Sequence, residues 1–401
     1  MASSLPSLDD LEVADRRVLV RCDLNVPLKD GEIVDDLRIR ASLETLQALL
    51  GRGARLALCS HLGRPKGKVV DGLRLAPVGR RLADLLGKKV TLLDEVTGGK
   101  ATEAARSDDA VILLENLRFD AREEASDAEF AGELADLADA YVKDAFGSSH
   151  RAHASVVGVA ERLPSAAGLL LAGEVERLGK LLAEPDRPFV ALLGGAKVSD
   201  KLGVIGNLLE RVDALCIGGA MAFTLLAARG EDVGRSLVER DRLDETRAVL
   251  REAEQRDVDI LLPTDVVAAD SPDKGAAHET VALGAIGNRM GVDIGPETST
   301  AFARTIEGAR TVLWNGPMGI FEIDAYARGT KAVAEAMAAA TAKGAYTVAG
   351  GGDSAAALKQ MGLEDGVSHL STGGGASLEF LEGKDLPGVA ALRLTERKGA
   401  K

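Results

Sequence analysis

The sequence predicts an α/β protein built from two doubly wound, Rossmann-like parallel-sheet domains. Short apolar runs rich in Val, Ile and Leu recur along the chain, each followed by turn residues and then by a longer stretch with helical periodicity. Near-continuous apolar strands alternating with helices indicate parallel sheets covered on both faces. At 401 residues the chain exceeds one ordinary core, so two domains are the leading expectation and one large barrel is the rival.

In the first half the strand candidates are Arg17 to Val20, Leu56 to Ser60, Val90 to Leu93, Ala110 to Leu114 and Ala140 to Lys143, separated by helical stretches such as Leu43 to Leu50 and Ala76 to Leu86. The second half offers Phe189 to Leu193, Ala214 to Ile217, Asp259 to Leu262, Thr311 to Trp314, Tyr346 to Ala349 and His369 to Leu370. Between the halves, Pro164 to Pro188 reads as one helix, with leucines at helical spacing between proline-containing ends. It is either a connection between domains or one more sheet-covering helix, and periodicity does not separate the two.

Composition narrows the function classes. A hydrophobic fraction of 46% with 28% charged residues suits a soluble globular chain. Asp and Glu number 62 against 49 Lys and Arg, a formal charge of −13, which disfavours a general nucleic-acid binder and requires any anion site to be a local basic cluster. Cys22, Cys59 and Cys216 form no CxxC pair and have no histidine at zinc-ligand spacing, so reduced, packed thiols are expected. The N-terminal MASSLPSLDDLEVADRR has no basic start followed by an apolar run, and the apolar stretch around Gly168 to Gly173 is too short to span a bilayer. A cytoplasmic protein without a membrane partner is expected.

In doubly wound sheets ligands bind at the carboxyl ends of strands. The first-half strand ends are basic: Arg21, Asp23 and Asn25; His61, Gly63 and Arg64; Glu115, Asn116 and Arg118; then His150, Arg151 and His153, with Arg38 in a loop segment DDLRIR. One such arginine is ordinarily a solvated charge. Four basic strand ends plus Arg38 in an acidic chain point to a small, multiply charged anion, because guanidinium forks match phosphate and carboxylate oxygens.

The second half places glycines at the corresponding positions. Phe189 to Leu193 runs into Gly194, Gly195, Ala196, Lys197, Val198, Ser199, Asp200 and Lys201; Tyr346 to Ala349 into Gly350, Gly351, Gly352 and Asp353; His369 to Leu370 into Thr372, Gly373, Gly374 and Gly375. Glycine lets a backbone approach a phosphate closely, and a following helix presents unpaired N–H groups. Gly350, Gly352 and Ala355 satisfy G-x-G-x-x-A, but SHLSTGGG lacks the ribose-binding acid that a dinucleotide fold carries roughly 20 residues on. A Walker GxxxxGK[ST] and an HRD loop are absent as well.

The strings RCDLNVP (21–27), DDLRIR (35–40), SHLGRPKG (60–67), ENLRF (115–119), HRAHAS (150–155), GGAKVSDK (194–201), DIGPET (293–298), WNGPMGIFE (314–322), GGGDSAAA (350–357) and STGGGASLEFLEG (371–383) resemble, in order and spacing, the signature blocks of phosphoglycerate kinases. The resemblance covers essentially the whole chain. It implies two domains joined by a hinge helix with an active-site cleft between them: residues 1–168 plus 387–401 for phosphoglycerate and 169–386 for nucleotide, LPGVAALRL (386–394) returning to the first domain. It further implies reversible, in-line transfer of phosphate from 1,3-bisphosphoglycerate to ADP, giving 3-phosphoglycerate and ATP, by a monomer after hinge closure. Magnesium would enter as Mg-ADP or Mg-ATP.

By position, the resemblance assigns phosphoglycerate binding to Asp23, Asn25, Arg38, His61, Gly63, Arg64, Arg118 and Arg151, and nucleotide binding to Lys201, Gly291, Glu322, Gly350, Gly351, Gly352 and Asp353. Asp353 would ligate the magnesium, while Arg38, Lys197 and Gly374 would serve the migrating phosphoryl group. No general base is needed when the acceptor is already an ionised oxygen, and catalysis reduces to alignment and charge stabilisation. A non-catalytic nucleotide-binding relative would be expected to lack Arg38, Lys197 or Asp353, and all three are present.

Overall fold

The structure is a computed structural model that describes residues 5–399; residues 1–4 and 400–401 of the expected first domain lie outside the described residues. The chain forms two compact units, one running to Glu176 and resuming at Asp385, the other spanning Arg177–Lys384.

In the first unit the strands are β1 (Arg17–Arg21), the short hairpin β2 (Leu28–Lys29) and β3 (Glu32–Ile33), β4 (Arg55–Cys59), β5 (Thr91–Leu92), β6 (Val111–Leu113), β7 (Ala140–Lys143) and β8 (Ser165–Ala167). Six of them make one sheet in the order β5-β6-β4-β1-β7-β8, parallel in every pairing. All five residues of β1 are buried, as expected for a central strand covered on both faces. The helix Leu37–Gly51 lays Ile39, Leu46 and Leu49 against Val18, Val20, Leu56 and Leu58. Burying each such side chain contributes about 1.5–3 kcal/mol.

The second unit carries β9 (Phe189–Leu193), β10 (Ala214–Ile217), β11 (Asp259–Leu261), β12 (Asp265–Ala269), β13 (His278–Ala282), β14 (Met290–Ile294), β15 (Thr311–Asn315), β16 (Tyr346–Gly350) and β17 (His369–Leu370). Its main sheet runs β11-β10-β9-β15-β16-β17, all parallel, with Trp314, Phe302 and Met337 in the core beneath it. The strand order reverses between β9 and β15. A crevice at the carboxyl ends of these two strands therefore follows from the topology alone.

Three expectations change. Arg38 is the second residue of the helix Leu37–Gly51, not a loop residue, and that helix starts well ahead of Leu43. The buried stripe of this helix includes Ser42 and Thr45 beside Ile39, Leu46 and Leu49, and Leu37 is exposed, so apolar periodicity does not mark the start. Pro164 to Pro188 is not one helix: Ser165–Ala167 is an edge strand pairing with β7, and the helix is Leu169–Ala183. Three small residues carry no period of their own, and the neighbouring strand supplies the pairing that decides their conformation. The two compact units divide within this helix, between Glu176 and Arg177. Its first turn is tied into the first unit by hydrogen bonds from Leu169 N to Thr45 Oγ1 (2.9 Å) and Leu170 N to Asp144 Oδ1 (3.1 Å). Finally, β13-β12-β14 form an antiparallel sheet that the sequence reading missed; β13 is largely exposed and offers no apolar run to detect.

Candidate functional site

In the first unit the expected anion-binding residues follow β1, β4, β6 and β7. Asp23 is buried and receives the Arg38 guanidinium, whose Nη1 lies 3.1 and 3.2 Å from the two carboxylate oxygens and 3.3 Å from Asn25 O. Asn25 Oδ1 accepts from Gly63 N at 2.8 Å, and Gly63 O accepts from Arg118 Nη1 at 2.6 Å, so three strand-end loops are stitched together. Gly63 has φ +63°, a conformation that strains any side chain there, and a Cβ would also have to displace the Leu73 methyl 2.7 Å away. Glu115 and Asn116 shape the same loops: Asn116 bonds Leu62 through both its amide atoms and Glu115 accepts from Leu75 N.

Electrostatics shows how densely the cations meet. Burial first, then Arg21, Arg118, Arg38 and Arg151, hold the His61 imidazole well below its usual pKa. Arg118 is buried, its guanidinium pKa is lowered by burial and then by Arg151, and its Nε–H finds no hydrogen-bond acceptor although Glu124 Oε1 lies 3.2 Å away. Lys143, fully buried, is pushed down to about 7 by burial and next by Arg21. Cations this crowded and this poorly solvated gain most from a polyanion that supplies oxygens to several at once. Arg151 is half-buried and Arg64 exposed. Arg21 and Lys143 belong to this cluster and were assigned no role from the sequence; the available signal was a charged last residue on a strand whose other residues are all apolar or buried. His153 packs inside, 9% exposed.

In the second unit a cavity of about 400 Å³ opens where β9 and β15 part. It is lined by Lys197, Lys201, Gly351, Gly352, Asp353 and Gly374 of the expected residues, and by Asn315, Ser354, Asp200 and Gly195 among others. A Cβ on Gly195, Gly352 or Gly374 would meet nothing within 4 Å, so their bare backbone fronts open space that a ligand can approach. Gly352 and Asp353 begin the helix Gly352–Met361, whose unpaired N–H groups and dipole favour an anion at that end. Gly194 has a different task, since a Cβ there would sit 2.1 Å from Pro317 O; its bareness lets the two switch-point loops touch.

Lys201 is buried, hydrogen-bonds through Nζ to Asn315 Oδ1, and is lowered to about 8 by burial, with Asp200 and Asp353 pulling the other way. Asn315 Nδ2 in turn donates to Gly350 O at 2.9 Å, so this one amide orients both the lysine and the glycine loop. Sequence reasoning passed over Asn315 within WNGPM; an Asn at the carboxyl end of a buried strand was the signal. Ser354 Oγ accepts from Gly316 N at 2.7 Å, and Trp314, fully buried, donates to Gly316 O. Met318 is fully buried as well, packed against Gly218.

Three expected nucleotide residues do not line this cavity. Gly350 is the last residue of β16, and Glu322 is exposed in a turn after β15. Gly291 lies on β14, with its N–H donating to Ser236 Oγ at 2.9 Å and its Cα against the Phe223 ring, where a Cβ would come within 1.9 Å. Among the described residues no group of three or more His, Cys, Asp or Glu could hold a metal unaided. Asp353 and Asp200 line the cavity as hard oxygen donors beside glycine backbone suited to phosphate oxygens, a donor set that fits a magnesium ion arriving on them. No helix of the described residues is long and apolar enough to cross a membrane.

Comparison with known proteins identifies the family of the chain. The family model described as phosphoglycerate kinase matches residues 8–384. Relatives named phosphoglycerate kinase include one from Thermomicrobium roseum, 56% identical over 386 residues covering 96% of this chain and 98% of the relative, and one from Moorella thermoacetica, 55% identical over 389 residues covering 96% and 98%. Among solved structures, the phosphoglycerate kinase of Coxiella burnetii aligns with a TM-score of 0.87 at 41% identity, covering 97% of this chain and 99% of that one. That of Pyrococcus horikoshii aligns at 0.88 and 33% identity, covering 98% and 100%.

Proposed function

The chain belongs to the phosphoglycerate kinase family, glycolytic enzymes that transfer phosphate to a carboxyl acceptor, and we propose that it catalyses reversible, magnesium-dependent transfer between 1,3-bisphosphoglycerate and ADP. The observation that carries the reading is the cavity at the β9/β15 switch point, where Lys197, Lys201 and Asp353 face glycine backbone. Di- or triphosphate oxygens would meet the glycine N–H groups, Asp353 would hold a magnesium ion arriving on them, which would offset their charge, and Lys197 would follow the phosphoryl group. Gly374 and its loop offer backbone amides to the same charge.

The first unit would hold phosphoglycerate through Asp23, Asn25, His61, Gly63, Arg64, Arg118 and Arg151, with Arg38 serving the carboxyl end. The transferred group passes directly and in line from one oxygen to the other once the two domains close on their substrates and exclude water from the acyl phosphate. Closure would draw on the helix Leu169–Ala183 as the hinge element. Glu322, Gly350 and Gly291 remain part of the proposed nucleotide set, and a cytoplasmic monomer remains the proposed setting. A coupled assay of ATP formation from 1,3-bisphosphoglycerate and Mg-ADP tests the reading; correctly folded protein without turnover refutes it.

A further inference from the structure

Beneath the cationic cluster runs a chain of hydrogen bonds that the binding of substrate does not itself require. Glu123, fully buried in the short helix Ala121–Glu124, accepts from Ser155 Oγ at 2.6 Å through Oε1 and from Ser155 N at 2.9 Å through Oε2. Ser155 Oγ, its proton committed to the carboxylate, is left as an acceptor and receives Arg21 Nε at 2.9 Å. Arg21 is 1% exposed, donates Nη1 to Cys22 O at 2.5 Å, and places Nη2 3.1 Å from His61 Nδ1.

The direction of this last bond is decided by chemistry. A guanidinium has donors only, so Nδ1 of His61 must be the acceptor and carry no proton. His61 is then neutral with its single proton on Nε2. The groups facing it agree: burial and the four arginines Arg21, Arg118, Arg38 and Arg151 all resist a charge on the ring. Those facing Glu123 are Ser155, His153 (Nδ1 3.8 Å from Oε1) and, at longer range, Arg118, Lys143, Tyr141 and Cys59. His153 is itself held down to about 4 by burial and then Arg118.

We propose that Glu123 and Ser155 are positioning residues that act through Arg21 to lock His61 as its neutral Nε2–H tautomer, a fixed hydrogen-bond donor toward the phosphoglycerate oxygens. The benefit is a donor whose state does not change between pH 6 and 8, in a cluster where a titrating ring would make substrate affinity follow pH. The proposal rests on His61 facing substrate.

The test begins on wild-type protein with no ligand, by long-range ¹H–¹⁵N correlation NMR of the imidazoles. The expected spectrum shows His61 protonated on Nε2 alone and unchanged as pH falls through the ordinary histidine pKa near 6.5; a proton on Nδ1, or a titration near 6.5, overturns the proposal outright. Ser155→Ala removes the relay, and Glu123→Gln is the milder second variant should the first fold poorly. In either, His61 is expected to show mixed tautomers, KM for 3-phosphoglycerate to rise roughly three- to tenfold, one hydrogen bond's worth, with kcat little changed, and 1/KM to gain a pH inflection. Unchanged His61 signals in both variants refute the relay. Altered signals with an unchanged KM refute instead the placement of His61 at substrate, so the two failures are told apart.

Discussion

Replacing Arg38 by Ala separates what the arginine does for the substrate from what it does for Asp23. In the structure Arg38 Nη1 bridges both carboxylate oxygens of Asp23 at 3.1 and 3.2 Å, and the Arg38 side chain is 31% exposed against 7% for its partner. Truncation therefore leaves a buried carboxylate with the Asn25 N–H at 3.3 Å as its remaining recorded hydrogen bond, a loss of about 1–3 kcal/mol in stability. The catalytic loss is larger. A charge-stabilising arginine in phosphoryl transfer is worth roughly 10³ to 10⁵ in rate, or about 4–7 kcal/mol. Arg38→Ala is thus expected to lower kcat by at least about a thousandfold, while KM for phosphoglycerate rises only modestly because Arg64, Arg118 and Arg151 remain. Pairing it with Asp23→Asn in a double-mutant cycle removes the stranded charge: the double variant should regain much of the stability and none of the kcat. Arg38→Lys should recover little, since an ammonium lacks the planar fork. Steady-state kinetics and urea melts on the four proteins of the cycle and on Arg38→Lys decide it. A kcat within tenfold of wild type, or a kcat restored by Asp23→Asn, would mean that Arg38 serves the fold rather than the reaction.

Three further outcomes are expected. Asp353→Asn should weaken Mg-nucleotide binding far more than phosphoglycerate binding, because a hard cation needs an anionic oxygen; equal losses by calorimetry would make Asp353 structural. His153, with a folded pKa of about 4 against 6.5 for the ordinary ring, refuses protons that the unfolded chain takes up, so its contribution is present above pH 6.5 and is lost as pH falls toward 4. The stability difference between wild type and His153→Gln should therefore shrink across that window by at most about 1.4 kcal/mol per pH unit; using the difference removes Asp144 and Asp293, each raised to about 7 by burial, whose contributions run with the opposite sign. A difference that stays constant with pH would contradict the buried, neutral ring. Small-angle scattering with both substrates should give a smaller radius of gyration than with neither, and an unchanged radius would remove domain closure from the proposed cycle.

Periodicity and turn chemistry were enough to place the main-sheet strands from β1 to β17 other than β8, because a strand buried on both faces must be apolar throughout and its βα turn must contain small or polar residues. The same local chemistry exposed the basic strand ends and the glycine loops, on which the proposal of which half holds which kind of anion rests. What sequence could not carry was anything decided by a distant partner. β8 is a strand because β7 offers it hydrogen bonds, and β13 is one because β12 does. Asn315 matters because Lys201, 114 residues earlier, reaches its amide, and Ser155 because Glu123 and Arg21 meet on its hydroxyl. The protonation of His61 was the least legible of all: a ring with an ordinary pKa near 6.5 on paper is driven well below it by burial and by four arginines, every one of them from another strand end or helix, that only the fold brings together. Local propensity is written residue by residue along the chain, whereas desolvation and charge depend on what lies within a few ångströms in space, and that neighbourhood exists only once the sheets have formed.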